Sequence, residues 1–155
     1  MTYPRSQGPT GEQLAKDLAP PDTLRLIITG NTTEAIEALT TTAEKIGKAL
    51  ARSVTTSQIR NIFGTVRTIE QDTKKLDEAA PLPISVQRAL MMLRPKLAYQ
   101  YGRASGESKE PMGSLTHILS EAISLVGSSV LYFRNFMDFF EAILAYHRRY
   151  GGRTN

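Results

Sequence analysis

Apolar residues return along this chain at intervals of three and four rather than two, the period of an amphipathic helix and not of a half-buried strand. Ile36, Leu39, Ala43, Ile46 and Leu50 form the first clear series, and Asn31 as N-cap with Glu34 three residues on gives it a start like a capping box. Thr55 and Thr56 offer a cap for a second long helix, in which Ile59, Ile62, Phe63, Val66, Ile69, Thr73 and Leu76 share one broad face. Gly64 lies inside that helix, at a cost of about 1 kcal/mol relative to Ala. After a break at residues 80–83, Val86, Leu90, Leu93, Leu97 and Tyr101 stand in register. Pro95 falls within that series and predicts a kink or a fresh helix start, because proline cannot donate a backbone hydrogen bond. A polar loop over residues 105–113 leads to Ser114, the expected cap of a fourth helix carrying Leu115, Ile118, Leu119, Ala122, Val126 and Val130. The fifth holds Phe133, Phe136, Phe139, Phe140, Ile143 and Tyr150 and ends at Gly151 and Gly152.

The N-terminal residues read differently. Pro4, Gly8, Pro9, Gly11, Pro20 and Pro21 break the chain repeatedly, so residues 1–21 are expected to form a flexible arm, with 12–18 the one stretch compatible with a short helix. Asp22 then caps a short apolar segment, residues 24–28, taken as a helix that stops at Gly30. There is no Asn-Gly hairpin signal and no solenoid-type repeat. The expected fold is all-α: a compact bundle of about five helices in one domain over residues 22–152, with the arm before it and a tail at 153–155. No apolar run approaches the roughly 18 residues of a membrane span, and residues 1–13 lack the apolar stretch of a secretory signal. The expectation is a cytoplasmic protein without a membrane partner.

Little in the chain suits catalysis. It has no cysteine, which removes disulfides, thiolate nucleophiles and Cys-based zinc sites. Of its two histidines, His147 falls on the apolar face beside Phe140 and Ile143, and His117 on a polar face. His117 and Glu121, four apart, supply two metal ligands without a third. Ser114, Ser120, Ser124, Ser128 and Ser129 lack a Gly-x-Ser-x-Gly turn, and the glycines at 102–106 and 151–152 lack the Lys and Ser/Thr of a phosphate loop. The chain is expected to be no enzyme and to carry neither cofactor nor metal.

Charge says more. Nineteen Lys and Arg against fifteen Asp and Glu give a formal charge of +4, a mild bias toward polyanions. Arg60, Arg67 and Lys74 recur every seven residues, a spacing that lines one flank of a helix over roughly 21 Å. Lys96, Tyr99 and Arg103 stand at i, i+3 and i+7, turned away from Leu90, Leu93 and Leu97, and such a face can hold phosphates and stack a base. Residues 84–105 contain Arg88, Arg94, Lys96 and Arg103 and no acidic residue. Arg148, Arg149 and Arg153 make a basic end that suits a helix dipole. Three uses of these faces stand side by side: nucleic-acid contact, including a DNA-binding module with 55–65 as its recognition helix; solubility alone; and a structural adaptor whose aromatic last helix docks a protein.

Three segments carry a resemblance: Thr55-Thr56-Ser57-Gln58-Ile59-Arg60-Asn61-Ile62-Phe63, Leu93-Arg94-Pro95-Lys96-Leu97-Ala98-Tyr99 with Gly102-Arg103, and Phe140-Glu141-Ala142-Ile143-Leu144-Ala145-Tyr146-His147. In order and spacing they resemble the small subunit of type III-A CRISPR Csm effector complexes, and Ala43-Glu44-Lys45-Ile46-Gly47 upstream also fits. The resemblance implies a helical, non-catalytic subunit that enters an antiviral ribonucleoprotein in more than one copy. It implies as partners the guide RNA, the target RNA, the backbone and large subunits and other copies of itself, with the chemistry residing in those other subunits. Carried over residue by residue, it places Gln58, Arg60, Lys96, Tyr99 and Arg103 near RNA. With Arg67, Lys74 and Arg94 from the charge pattern, these form the expected RNA-binding set. Phe140, Ile143, Tyr146 and His147 fit core or subunit packing instead, and the N-terminal arm lies outside the resemblance.

Overall fold

A computed structural model of the protein describes residues 8–152. Among them the regular elements are helices: α1 (Gly11–Leu18), α2 (Pro21–Thr29), α3 (Thr33–Leu50), α4 (Thr56–Glu70), α5 (Ile84–Arg103), α6 (Lys109–Val126) and α7 (Val130–Arg149), with 3-10 turns at Gln71–Thr73 and Gly106–Ser108. Pro81 and Ser129 form an isolated antiparallel bridge. The fold is all-α as expected, with seven helices rather than about five.

The aromatic helix α7 lies at the centre, packed by α2, α3, α4 and α6. Phe133, Phe136, Phe139 and Phe140 are fully buried there, and Phe63 of α4 meets Phe140 edge to face at 5.1 Å. The α3–α7 seam is the most extensive, because Ala43 and Gly47 let two backbones approach closely. A Cβ on Gly47 would fall 2.6 Å from the His147 backbone nitrogen. α6 forms a second layer, burying Met112, Leu115, Ile118, Leu119, Ala122, Ile123 and Val126 between α1, α5 and α7.

Local capping sets several helix starts. Thr55 caps α4 in a reciprocal box: its hydroxyl accepts from the Gln58 N–H at 3.1 Å and Gln58 Oε1 accepts from the Thr55 N–H at 2.8 Å. At α3 the cap is Thr32 and not Asn31, its hydroxyl accepting from the Ala35 N–H. The expected apolar face holds from Leu39 onward, with Ala43, Ile46 and Leu50 buried and Leu39 packed against the core, and departs only at its first turn. Ala35 is buried against the turn at Gly30, and Ile36, expected inside, is 63 % exposed. α6 also begins earlier than its pattern suggests. Ser114 is no cap but a buried residue of α6, its hydroxyl donating to the Pro111 carbonyl at 2.7 Å. Val130 starts α7 instead of ending α6, since Gly127, at φ +55°, turns the chain and Ser129 caps the next helix.

Pro95 neither ends nor restarts α5. It is exposed, as is Met91 four residues before it, so the carbonyl left without an N–H partner faces water while Val86, Leu90, Leu93 and Leu97 hold the helix down.

The largest correction concerns the arm. Within residues 8–21, Thr10 and Gln13 form a capping box and α1 packs its small face, Gly11 and Ala15, on α6. Glu110 of α6 accepts from the Gly11 N–H at 2.8 Å and from the Tyr101 hydroxyl at 2.9 Å, tying α1 to the end of α5. Asn135 likewise ties α2 to α7, donating to the carbonyls of Ile28 at 2.9 Å and Gly30 at 3.1 Å. Residues 11–21 therefore belong to the helical body. The rest of the expected arm, 1–7, and the tail at 153–155 with Arg153 lie outside the described residues.

Candidate nucleic-acid interface

α5 buries one side through Val86, Leu90, Leu93 and Leu97. Met92, Lys96, Tyr99 and Arg103, at i, i+4, i+7 and i+11, share its opposite flank and are all exposed, Tyr99 at 66 %. The Arg103 guanidinium lies 5.9 Å from the Tyr99 ring centroid, so cation and ring form one unit. No carboxylate of α5 offsets this face, because the helix contains none.

The other members of the expected RNA-binding set fall elsewhere. Arg94 points to the far flank of α5, where its Nε donates to the Ser120 hydroxyl at 2.8 Å and joins α5 to α6. Gln58 has its carboxamide oxygen engaged in the α4 cap. Arg60 and Arg67 are exposed along one flank of α4, with Arg67 5.6 Å from the Phe63 ring centroid and 3.9 Å from Glu70. That flank lies across the crest of α4 from the side that meets α5, which carries Asn61 and Thr65. Lys74 leaves the seven-residue line. α4 ends at Glu70, and the 3-10 turn after it adds roughly 20° per residue to the helical rotation. Lys74 then borders a depression against α7 that also contains Glu70, Glu78 and Asp138. The eight residues are thus one compact trio (Lys96, Tyr99, Arg103), a separate arginine pair, two side chains with structural bonds and one lysine among carboxylates.

Between α4 and α5 the structure opens a groove of about 420 Å³. Leu93 and Leu97 line it beneath Met92, Lys96 and Tyr99, and α4 contributes Asn61, Ile62 and Thr65. Thr65, Met92 and Gln100 are not among the residues the sequence points to, and Asn61 enters there only within the Thr55–Phe63 segment; Met92 leaves a trace as a large apolar residue in register with Lys96, Tyr99 and Arg103.

His117 and Glu121 border a different depression, between α1, α2 and α6, together with Glu12 and Lys16. Among the described residues no group of three or more His, Cys, Asp or Glu is placed to hold a metal ion. His147 is fully buried, with Nε2 2.7 Å from the Val54 carbonyl oxygen. Since a carbonyl only accepts, Nε2 carries the proton and the ring pins α7 to the turn after α3. Tyr101 and Asp138 are among the groups whose titrations are displaced. The hydrogen bond to Glu110 raises the Tyr101 hydroxyl, with burial and the Glu110 charge adding to it. Partial burial raises the Asp138 carboxyl, helped by Glu141 and Glu70. No helix among the described residues is long and apolar enough to cross a membrane.

No individual curated protein matches the sequence significantly. The family described as Csm2 Type III-A does, over residues 33–153, which takes in α3 through α7 and leaves α1 and α2 outside the match. With that span covering most of the chain, and with the helical body just described, the protein belongs to the Csm2 Type III-A family, the small-subunit family of the type III-A CRISPR Csm complex.

Proposed function

We propose that this chain is a non-catalytic subunit that contacts the guide RNA and target RNA of the Csm particle and supports its assembly in antiviral defence in the cytoplasm. The observation that carries the RNA reading is the exposed trio Lys96, Tyr99 and Arg103 on a helix without a carboxylate. Lys96 and Arg103 stand about 10 Å apart along the helix axis, with the aromatic ring between them. An A-form duplex presents phosphates and 2′-hydroxyls rather than a readable major groove, so cations and shape hold it and base pairing with the guide supplies sequence choice. Arg60 and Arg67 add a second, separate positive flank on α4. Assembly has a surface of its own: Ile84 and Met91, 77 % and 49 % exposed on α5, suit contact with a backbone or large subunit or another copy of this chain.

The test is RNA affinity over a salt series for the full chain and for Lys96→Gln/Arg103→Gln, with circular dichroism to establish folding. The variant is expected to bind all RNA sequences more weakly and to show a salt slope smaller by about one for each phosphate no longer neutralised. A folded variant with full affinity and an unchanged slope would refute the reading. Sequence-selective binding to DNA duplexes would move the DNA-binding alternative to the front, and normal assembly with every basic face neutralised would favour the adaptor.

A further inference from the structure

We infer that the groove between α4 and α5 receives a single unstacked nucleobase of the bound RNA, with Tyr99 as its stacking platform. The inference rests on the RNA reading above and adds to it, since phosphate contact alone leaves the groove without a role. A phosphate needs cations and N–H donors. Lys96 at the mouth supplies charge, whereas the interior presents Ile62, Leu93 and Leu97. An apolar interior with polar atoms at its rim matches a base, which has apolar faces and a hydrogen-bonding edge.

The rim provides those polar atoms. Asn61 on α4 and Gln100 on α5 each carry an amide that both donates and accepts, and among the described residues neither side chain is engaged in a hydrogen bond. Such amides serve the edge of any base, which agrees with binding that does not choose sequence. Among the described residues no carboxylate borders the groove, so an RNA strand meets no like charge from them there. Tyr99 is exposed along one wall, and Arg103 behind its ring places a cation close to the backbone of the same nucleotide. A base inside an intact duplex cannot reach this groove, so the occupant is a base already out of its stack.

The experiment compares the full chain's affinity for a short single-stranded RNA and for the same strand with abasic residues, and follows fluorescence of a strand carrying 2-aminopurine. The strand with bases is expected to bind about tenfold more tightly than the abasic one, within the range contributed by one stacked base, and 2-aminopurine is expected to be quenched on binding. Tyr99→Ala should bring the difference below about twofold and abolish quenching, and Tyr99→Phe should preserve both. Equal wild-type affinity for the two strands, with unchanged fluorescence, would overturn the inference and leave backbone contact standing. Binding of neither strand nor duplex would overturn the RNA reading as well.

Discussion

The same substitution, Gly to Ala in mid-helix, should act with opposite signs at two positions. Gly47 in α3 and Gly64 in α4 both lack the positive φ that would bar alanine. Each exchange gains about 0.8–1 kcal/mol of helix propensity. At Gly64 a new Cβ meets nothing within 4 Å, so that gain is nearly the whole effect. At Gly47 it would lie 2.6 Å from the His147 nitrogen, 2.7 Å from the Tyr146 Cβ and 2.8 Å from the Tyr146 carbonyl carbon. Two of those atoms are backbone and cannot swing aside, so α7 itself would have to shift. Overpacking of this kind costs typically 1–3 kcal/mol, and the lack of a flexible neighbour argues for the upper end. The net expectation is a loss of about 1–2 kcal/mol at Gly47 and a gain of about 0.5–1 kcal/mol at Gly64. For a chain of this size a kilocalorie moves the melting midpoint by about 2–4 °C, so thermal melts followed by far-ultraviolet circular dichroism separate the two variants readily. Gly47→Ala as stable as the parent would refute the argument, for it would mean that the α3–α7 seam tolerates a methyl group where the structure leaves no room.

Two further expectations follow from the site. Gln58→Ala should cost roughly 0.5–1 kcal/mol of stability through loss of the reciprocal cap on Thr55, while leaving RNA affinity unchanged; a lowered affinity without a stability loss would instead make Gln58 an RNA contact. Asp138 has a raised carboxyl, so the folded state holds its proton more tightly than the unfolded chain does, and the penalty is fully present above the folded-state value and fades with acidification. Asp138→Asn should therefore raise the thermal midpoint at neutral pH, with the gain shrinking as pH falls through the raised folded-state value and absent below the unfolded value of about 3.9, and a gain independent of pH would contradict the assignment.

The long helices were legible because each buries a face wide enough to repeat at helical spacing; the Phe133 to Ile143 series shows this most clearly. The cap at Thr55 was also legible, since a reciprocal box needs only residues three apart. α1 was legible only as a possible short helix; its docking was not, because the residues it buries fully are the small Gly11 and Ala15, with Leu18 half-buried beside them. The candidate site was legible only in part. Lys96, Tyr99 and Arg103 come together because α5 is one unbroken helix with a known rotation per residue. Arg60, Arg67 and Lys74 fail to make one stripe because the helix beneath them ends at Glu70.

Spacing within the chain determined the all-helical character, the aromatic helix and the trio on α5, for these depend on rotation per residue and on side chains a few positions apart. Tertiary structure decided which flank of each helix meets a neighbour. It turned Arg94 toward Ser120 and Arg60 away from the groove, and it docked α1 on α6 through a carboxylate 99 residues away in sequence. The groove between α4 and α5 belongs to neither helix alone. It exists because both bury their apolar stripes in the same core while the flanks above diverge, and no periodicity read along one segment contains that relation.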